Sequence, residues 1–244
     1  MSYAQPAAAN YYSPPSRPQP KQRGHRVCDQ CNAVEQPGSR YRLCGGCMVT
    51  QYCSQDCQKK HWPSHKAICQ HTSSQISATK QQAMGSLDDN LVKNLRKFTS
   101  SHSSLLGWAG FQALQLKRMP SNIRSNALLI ELSHRPSSSD PHRRFSVKGT
   151  HIVPRTYVTD NDPLVGDDIR RREDRCRRGG GLGCIVVLIQ CGEISQVMPI
   201  EVDSPNRISW DSRNDWAEVL RHFVESGRTD FSPISTTARG IVYG

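Results

Sequence analysis

The chain has 244 residues, enough for one medium domain plus a small one, and carries a formal charge of +11. Its longest purely apolar run, CIVVLI from Cys184 to Ile189, is far too short to span a bilayer. The N-terminus MSYAQPAAANYYSPP has no apolar signal core, so a soluble protein made in the reducing cytosol is expected.

Residues 1–24 are rich in Pro, Ala, Gln, Tyr and Ser, with three basic residues and no acidic one. Such a segment buries too little apolar surface to offset its ordering entropy. It reads as a disordered tail with polyproline II character around SPPSRPQP.

Residues 25–71 concentrate the chemistry. Seven of the ten cysteines fall between Cys28 and Cys69. The candidate ligands run Cys28-x2-Cys31, Cys44-x2-Cys47, Cys53-x3-Cys57 and His65-x3-Cys69. In a reducing compartment this density points to metal before disulfides. Eight soft ligands satisfy two tetrahedral Zn2+ ions and leave no open position for water, so the sites are structural. Gly45 and Gly46 ease the turn between Cys44 and Cys47. The pairs spaced by four share a face of a helical turn. Pro63 suits the start of a second short helix, where its missing N–H costs little. His61 lies four before His65, but no Glu follows it as a zinc-protease motif requires. Binding two Zn2+ through seven thiolates adds seven negative and four positive charges and lowers the net to +8. The formal +3 of residues 25–71 then becomes about zero, which argues against a basic nucleic-acid patch there.

Residues 72–85, TSSQISATKQQAMG, read as a polar linker between two independent cores. Ser86 is a helix cap ahead of Leu87, Leu91, Leu95 and Phe98. LLGWAGFQALQL is apolar all round and reads as a buried helix. ALLIEL, Ala127 to Leu132, is a strand. RFSVKGTHIV is another, with Phe145, Val147 and Val153 on one face. RRREDRCRR, Arg170 to Arg178, reads as an import signal, a nucleic-acid contact or a solvated helix end. Its interleaved acids favour the last. Five arginines beside Cys176 would lower its pKa. GGGLG, Gly179 to Gly183, precedes a strand and lacks Gly-Lys-Ser/Thr, so it is a turn and not a phosphate loop. GCIVVLIQC and ISQVMPIEV flank Gly192-Glu193 as a hairpin. Cys184 and Cys191, an odd number apart, face opposite sides as small buried hydrophobes. NDWAEVLRHFVESG is a helix with Trp216, Val219, Leu220 and Phe223 on one face, ended at Gly227. No pattern emerges after Arg228. Residues 86–244 thus read as an α+β domain with an antiparallel sheet and no assigned function. Their net +4 is a weak case for nucleic-acid binding.

The ligand order, with the run YCSQDCQKKHWPSHKAIC, resembles the MYND-type zinc finger. A RING would need a later C-x2-C pair, and a HIT-type finger would place its histidine nearer the third pair. The resemblance implies interleaved sites: Cys28, Cys31, Cys53 and Cys57 on one zinc, and Cys44, Cys47, His65 and Cys69 on the other, with His61 outside both. It also implies a peptide groove at Gln58 and Trp62, four apart on one helix face, for proline-containing segments of partner proteins. Trp62 as mere filler of a minimal core is the competing reading. A non-enzymatic interaction role is expected, in transcriptional regulation, in the nucleus or cytoplasm. MYND fingers also accompany SET methyltransferases and iron-dependent dioxygenases. This chain has no Asn-His-Ser or Gly-Glu-Glu motif for the first and no His-x-Asp for the second.

Overall fold

A computed structural model describes residues 27–36, 39, 41–47, 49–82, 90–136, 138–140, 142–160 and 162–243. The tail expected at 1–24, and the cap expected at Ser86, lie outside these residues.

The cysteine-rich region has little regular structure of its own. Strand β1 (Arg42–Leu43) pairs antiparallel with β2 (Gln51–Tyr52), and an isolated bridge joins Val27 to Val34. Its buried cluster consists of Cys28, Tyr41, Cys44, Cys47, Tyr52 and Cys69. So small a cluster cannot hold a fold by burial alone. One helix, α1 (Gln55–Gln82, 28 residues), follows.

Two expectations change here. Pro63 lies inside α1, not at the start of a second helix. An interior proline forfeits one backbone bond, but Cys57 and His65 lie on either side of it and belong to different ligand groups. Metal bonds can therefore anchor the helix on both sides of the break. The segment read as a linker is helical to Gln82. Its Ser, Thr, Gln and Lys residues describe a solvated helix as readily as a loop.

The second region is a mixed sheet between two helical layers. Helices α2 (Leu91–Ser101), α3 (Ser103–Ala113) and the short α4 (Asn122–Ser125) lead into β3 (Asn126–His134) and β4 (Phe145–Pro154). A short α5 (Thr156–Thr159) and α6 (Pro163–Arg178) follow, then β5 (Gly183–Cys191), β6 (Ile194–Val202), α7 (Trp216–Ser226), β7 (Ile234–Thr237) and β8 (Gly240–Tyr243). The main sheet has the order β4-β3-β5-β6. Its outer ladders, β3–β4 and β5–β6, are antiparallel as expected. The central pair β3–β5 is parallel, which corrects a purely antiparallel sheet. Parallel neighbours need a long crossover, and β4, α5 and α6 supply it.

A register shift between Glu131 and Leu132 leaves Lys148 as the extra residue of β4. The bulge reverses the parity of the strand beyond it. Phe145 and Val147 therefore join the core under α2, α3 and α7, whereas Val153 packs on the opposite face. The expectation of one shared face fails for Val153. Cys184 and Cys191 do take opposite faces of β5: Cys191 joins Ile185, Val187 and Ile189 in the larger core, and Cys184 shares the parity of Val186 and Leu188.

Helix α3 is buried along most of its length, from Leu105 to Ala113. It lies close on β5 because Gly110 has no side chain there: a Cβ would stand 2.5 Å from Ile185 Cγ2. The segment after Arg228, without a pattern in sequence, contributes buried Phe231. That ring lies 5.0 Å from Trp108 and 5.2 Å from Phe223. No helix among the described residues is long and apolar enough to cross a membrane.

Candidate metal centre

The structure brings the eight candidate ligands into two groups: Cys28, Cys31, Cys53 and Cys57, and Cys44, Cys47, His65 and Cys69. Within each group the ligand atoms all lie within 4.8 Å of one another. Four sulfurs about 2.3 Å from one zinc would sit about 3.8 Å apart at the corners of a tetrahedron. The observed separations are close to that: 3.6 Å for Cys31–Cys53, 3.5 Å for Cys53–Cys57 and 3.6 Å for Cys44–Cys69. His65 turns Nε2 toward Cys47 Sγ at 3.5 Å, and its Nδ1 faces the Thr50 hydroxyl at the same distance. That hydroxyl can fix the tautomer that leaves Nε2 for the metal. Gly46 is required by close approach, since a Cβ would meet Cys69 Sγ at 2.7 Å; Gly45 has open space around it. The donor set and spacing fit two structural zinc ions.

His61 has both nitrogens engaged elsewhere. Arg171 donates to Nε2, which places the ring proton on Nδ1, donated to the Tyr52 oxygen at 2.9 Å. Burial, reinforced by the Arg171 guanidinium, pushes its pKa down to about 4. It stacks on His65 at 5.4 Å and supports that ring.

The arginine-rich stretch is only in part a solvated helix end: Arg170, Arg177 and Arg178 are exposed, but Arg171, Arg172 and Arg175 are not. It forms most of α6 and lies against the cysteine-rich region. Asp29, between ligands Cys28 and Cys31, is buried and receives Arg172 Nη1 and, at 3.4 Å, Arg175 Nη2. Its other oxygen accepts from the Gln51 amide at 2.7 Å, and its carbonyl from Arg175. Arg172 also donates from Nε to Asp168 at 2.9 Å. Burial opposes the charge on Arg172, but Asp29 and Asp168 raise its pKa well above the ordinary value. Burial likewise opposes the Asp168 carboxylate, yet Arg172 and Arg171 hold its pKa at about 2. Farther along α1, His71 donates to Asp162 at 2.7 Å and Gln75 at 3.1 Å. Asp162 also accepts from the Val165 amide and so caps α6.

These contacts were missed in the sequence. The available signal was complementary charge: an acid inside a C-x2-C knuckle and a run of arginines without enough acids of its own. The reading of Cys176 also changes. Its neighbouring arginines turn to carboxylates, and burial pushes the thiol pKa up. Gln58 is half-buried on α1, and Trp62 is 40% exposed, outside the buried cluster, with its edge 6.2 Å from His65.

Residues 28–69 match the MYND finger family, and this segment is a MYND zinc finger with two zinc sites. The chain is 44% identical over 70 residues to Dauer abnormal formation protein 25 of Caenorhabditis elegans, covering 28% of this chain and 17% of that protein. It is 31% identical over 83 residues to a SET and MYND domain-containing protein of Dictyostelium discoideum, 33% of this chain and 15% of that one. It is 46% identical over 43 residues to human Histone-lysine N-methyltransferase SMYD3, 18% and 9% of the two chains. The chain thus spans less than a fifth of the length of these curated relatives. No solved structure matches it.

Proposed function

We propose that this protein is a zinc-dependent interaction module whose finger docks proline-containing peptides of partner proteins, without catalytic activity of its own. MYND fingers are protein-interaction modules. The observation that carries the finer reading is Trp62. A tryptophan needed only as filler would be enclosed, yet this one is 40% exposed on the solvent side of α1. Gln58, one turn earlier, shares its side of the helix. An indole plane packs on a proline ring, and a Gln amide bonds the free backbone groups of an extended peptide.

Thiolate-rich zinc sites persist where thiols stay reduced, which favours the nucleus or cytoplasm, and transcriptional regulation is the process proposed. Methyltransferase activity is the competing reading, because two relatives carry SET or methyltransferase in their names. Their similarity lies around the finger and gives that reading little support in the sheet domain.

The test is Trp62→Ala in the full chain, with zinc content and affinity for a PxLxP-type peptide measured together. Two zinc ions with lost peptide binding support the groove. Unchanged affinity removes Trp62 from the site, and lost zinc returns it to a structural role.

A further inference from the structure

The sheet order β4-β3-β5-β6 leaves β6 with a single neighbour, and its other edge borders a cavity of about 570 Å³ between the finger and the sheet domain. Which backbone groups reach that edge follows from the ladder. Pro199 has no N–H to give to β5, so its nitrogen points away from the ladder, as prolines on edge strands do. Ladder bonds involve alternate residues of an antiparallel strand, so Ser195 and Val197 turn their N–H and C=O groups outward with it. The hairpin agrees. Cys191 pairs with Ile194 across a two-residue turn, which assigns the main-chain bonds of Ile194, Gln196 and Met198 to β5. Among the described residues, no hydrogen bond reaches the outward main-chain groups of Ser195, Val197 or Pro199.

A free edge is a template for another strand, and proteins usually blunt it with proline, charge or a covering helix. Pro199 blunts one position. Helix α1 closes the far side through Ile68 and Thr72, but the cavity stands between it and β6. From Ser195 to Pro199 the open edge runs roughly 17 Å, at about 3.4 Å per residue. The two faces of β6 border different cores. On the face of Val197 the cavity meets half-buried Val165 of α6. On the face of Gln196 it meets Val92 of α2, and Thr99 of the same helix accepts from Gln196 Nε2 at 3.1 Å. Neither Gln58 nor Trp62 is among the described lining residues, so this edge is separate from the proposed peptide groove.

We propose that the edge of β6 from Ser195 to Pro199 receives an extended segment of a partner protein as a fifth strand of the main sheet. The main chain of that segment bonds Ser195, Val197 and the Pro199 carbonyl, and its side chains alternate between the Val165 and Val92 sides. The segment is free of proline, since each proline turned toward β6 would withhold a donor, and it carries Val, Ile or Thr on both faces. This chemistry is the opposite of the proline-containing peptide assigned to Trp62. A second copy of the chain fits less well, because its own β6 edge is flanked by α1, α2 and α6, which would meet the same helices here. The chain's own segments fit less well too. Residues 1–26 hold five prolines and no Val, Ile or Leu, and residues 83–89 offer only Leu87 among the branched apolar types.

The experiment uses the full zinc-loaded chain and, as probe, the acetylated and amidated peptide KLVTIVK at concentrations where it is monomeric. The peptide should bind and slow hydrogen exchange at the Ser195 and Val197 amides, which are fast in the free chain. The Gln196 and Met198 amides, already bonded to β5, should be slow with or without it. An analogue N-methylated at every central residue keeps the side chains but loses the donors, and should not bind. Val197→Pro removes an outward N–H without touching a ladder bond and should weaken binding roughly tenfold or more relative to Val197→Ala. Absence of binding, binding without slowed exchange at Ser195 and Val197, equal affinity for the methylated analogue, or equal affinity of the Pro and Ala variants overturns the proposal. So does a gain of tenfold or more in peptide affinity on deleting residues 1–24, or a dimer that the peptide dissociates, since either gives the edge to this chain itself. Should Val197→Pro release zinc or fail to fold, the methylated analogue and the exchange rates decide alone.

Discussion

In the zinc site of Cys28, Cys31, Cys53 and Cys57, Cys31 and Cys53 are exposed, whereas all four ligands of the Cys44, Cys47, His65 and Cys69 site are buried. The donor sets account for the contrast. Four thiolates around Zn2+ leave a net charge of two negative units; three thiolates and a neutral imidazole leave one. Burying charge is costly, so the more highly charged centre lies near water and the less charged one inside. The outer site still needs anchoring, and it obtains this from ion pairs instead of packing: its knuckle residue Asp29 is held by Arg172 and Arg175 of α6. The finger thus attaches to the sheet domain through ion pairs at the outer site, while the buried ligands of the inner site pack within the finger's own cluster.

The severest way to break this comparison is to remove both metals with a strong chelator. Structural zinc contributes roughly 10–16 kcal/mol in finger peptides, so the amides of residues 28–69 should lose hydrogen-exchange protection. The sheet domain should also melt at a lower temperature, because Asp29 no longer faces Arg172. An unchanged melting temperature for that domain in calorimetry would show that the two regions are independent after all.

Arg172→Met comes next. It leaves Asp29 and Asp168 buried without their shared cation and should cost about 3–5 kcal/mol in denaturant unfolding of the zinc-loaded chain. A double-mutant cycle with Asp29→Asn isolates the link across the interface. Strict additivity would dissolve the electrostatic half of the comparison.

Asp168→Asn should cost less, about 2 kcal/mol at neutral pH. The folded-state pKa of Asp168 is depressed below its ordinary 3.8 to about 2. Its stabilisation is therefore present above the ordinary value and is lost as pH falls toward 2. The stability gap between wild type and variant should close over that window, and a gap independent of pH would contradict the assignment.

The smallest effect in free energy concerns order of release. With chelator in deficit, native mass spectrometry should find a one-zinc species. Brief iodoacetamide labelling of that species should mark Cys31 and Cys53 ahead of Cys44, Cys47 and Cys69. Equal labelling of both sets would erase the difference in exposure.

The eight ligands were legible because thiolate spacing is a local signal with few physical explanations. The strands and α7 were legible for a similar reason: ALLIEL and WAEVLRHFVES carry their periodicity within a few residues. What escaped the sequence depends on distant partners. Val153 changed face because of a bulge at Lys148, which no alternation within β4 announces. The parallel pairing of β3 with β5 depends on how the intervening chain crosses over. Arg172 reads as a surface charge until Asp29, 143 residues away, is placed against it. Phe231 sits in a segment without a pattern, and its burial follows from Trp108 and Phe223 being there to receive it.

Helix α1 has a mechanical consequence. At 28 residues it is about 42 Å long; before the break at Pro63 one metal holds Cys57, and beyond it the helix is fixed at His65 and Cys69 by the other metal and at His71 and Gln75 by Asp162. The same carboxylate begins α6. A torque applied beyond Pro63 is therefore carried through His65, Cys69 and His71 to the root of the helix whose arginines hold Asp29. Load placed on the finger's outer surface is felt at the sheet without any hinge between them having to turn.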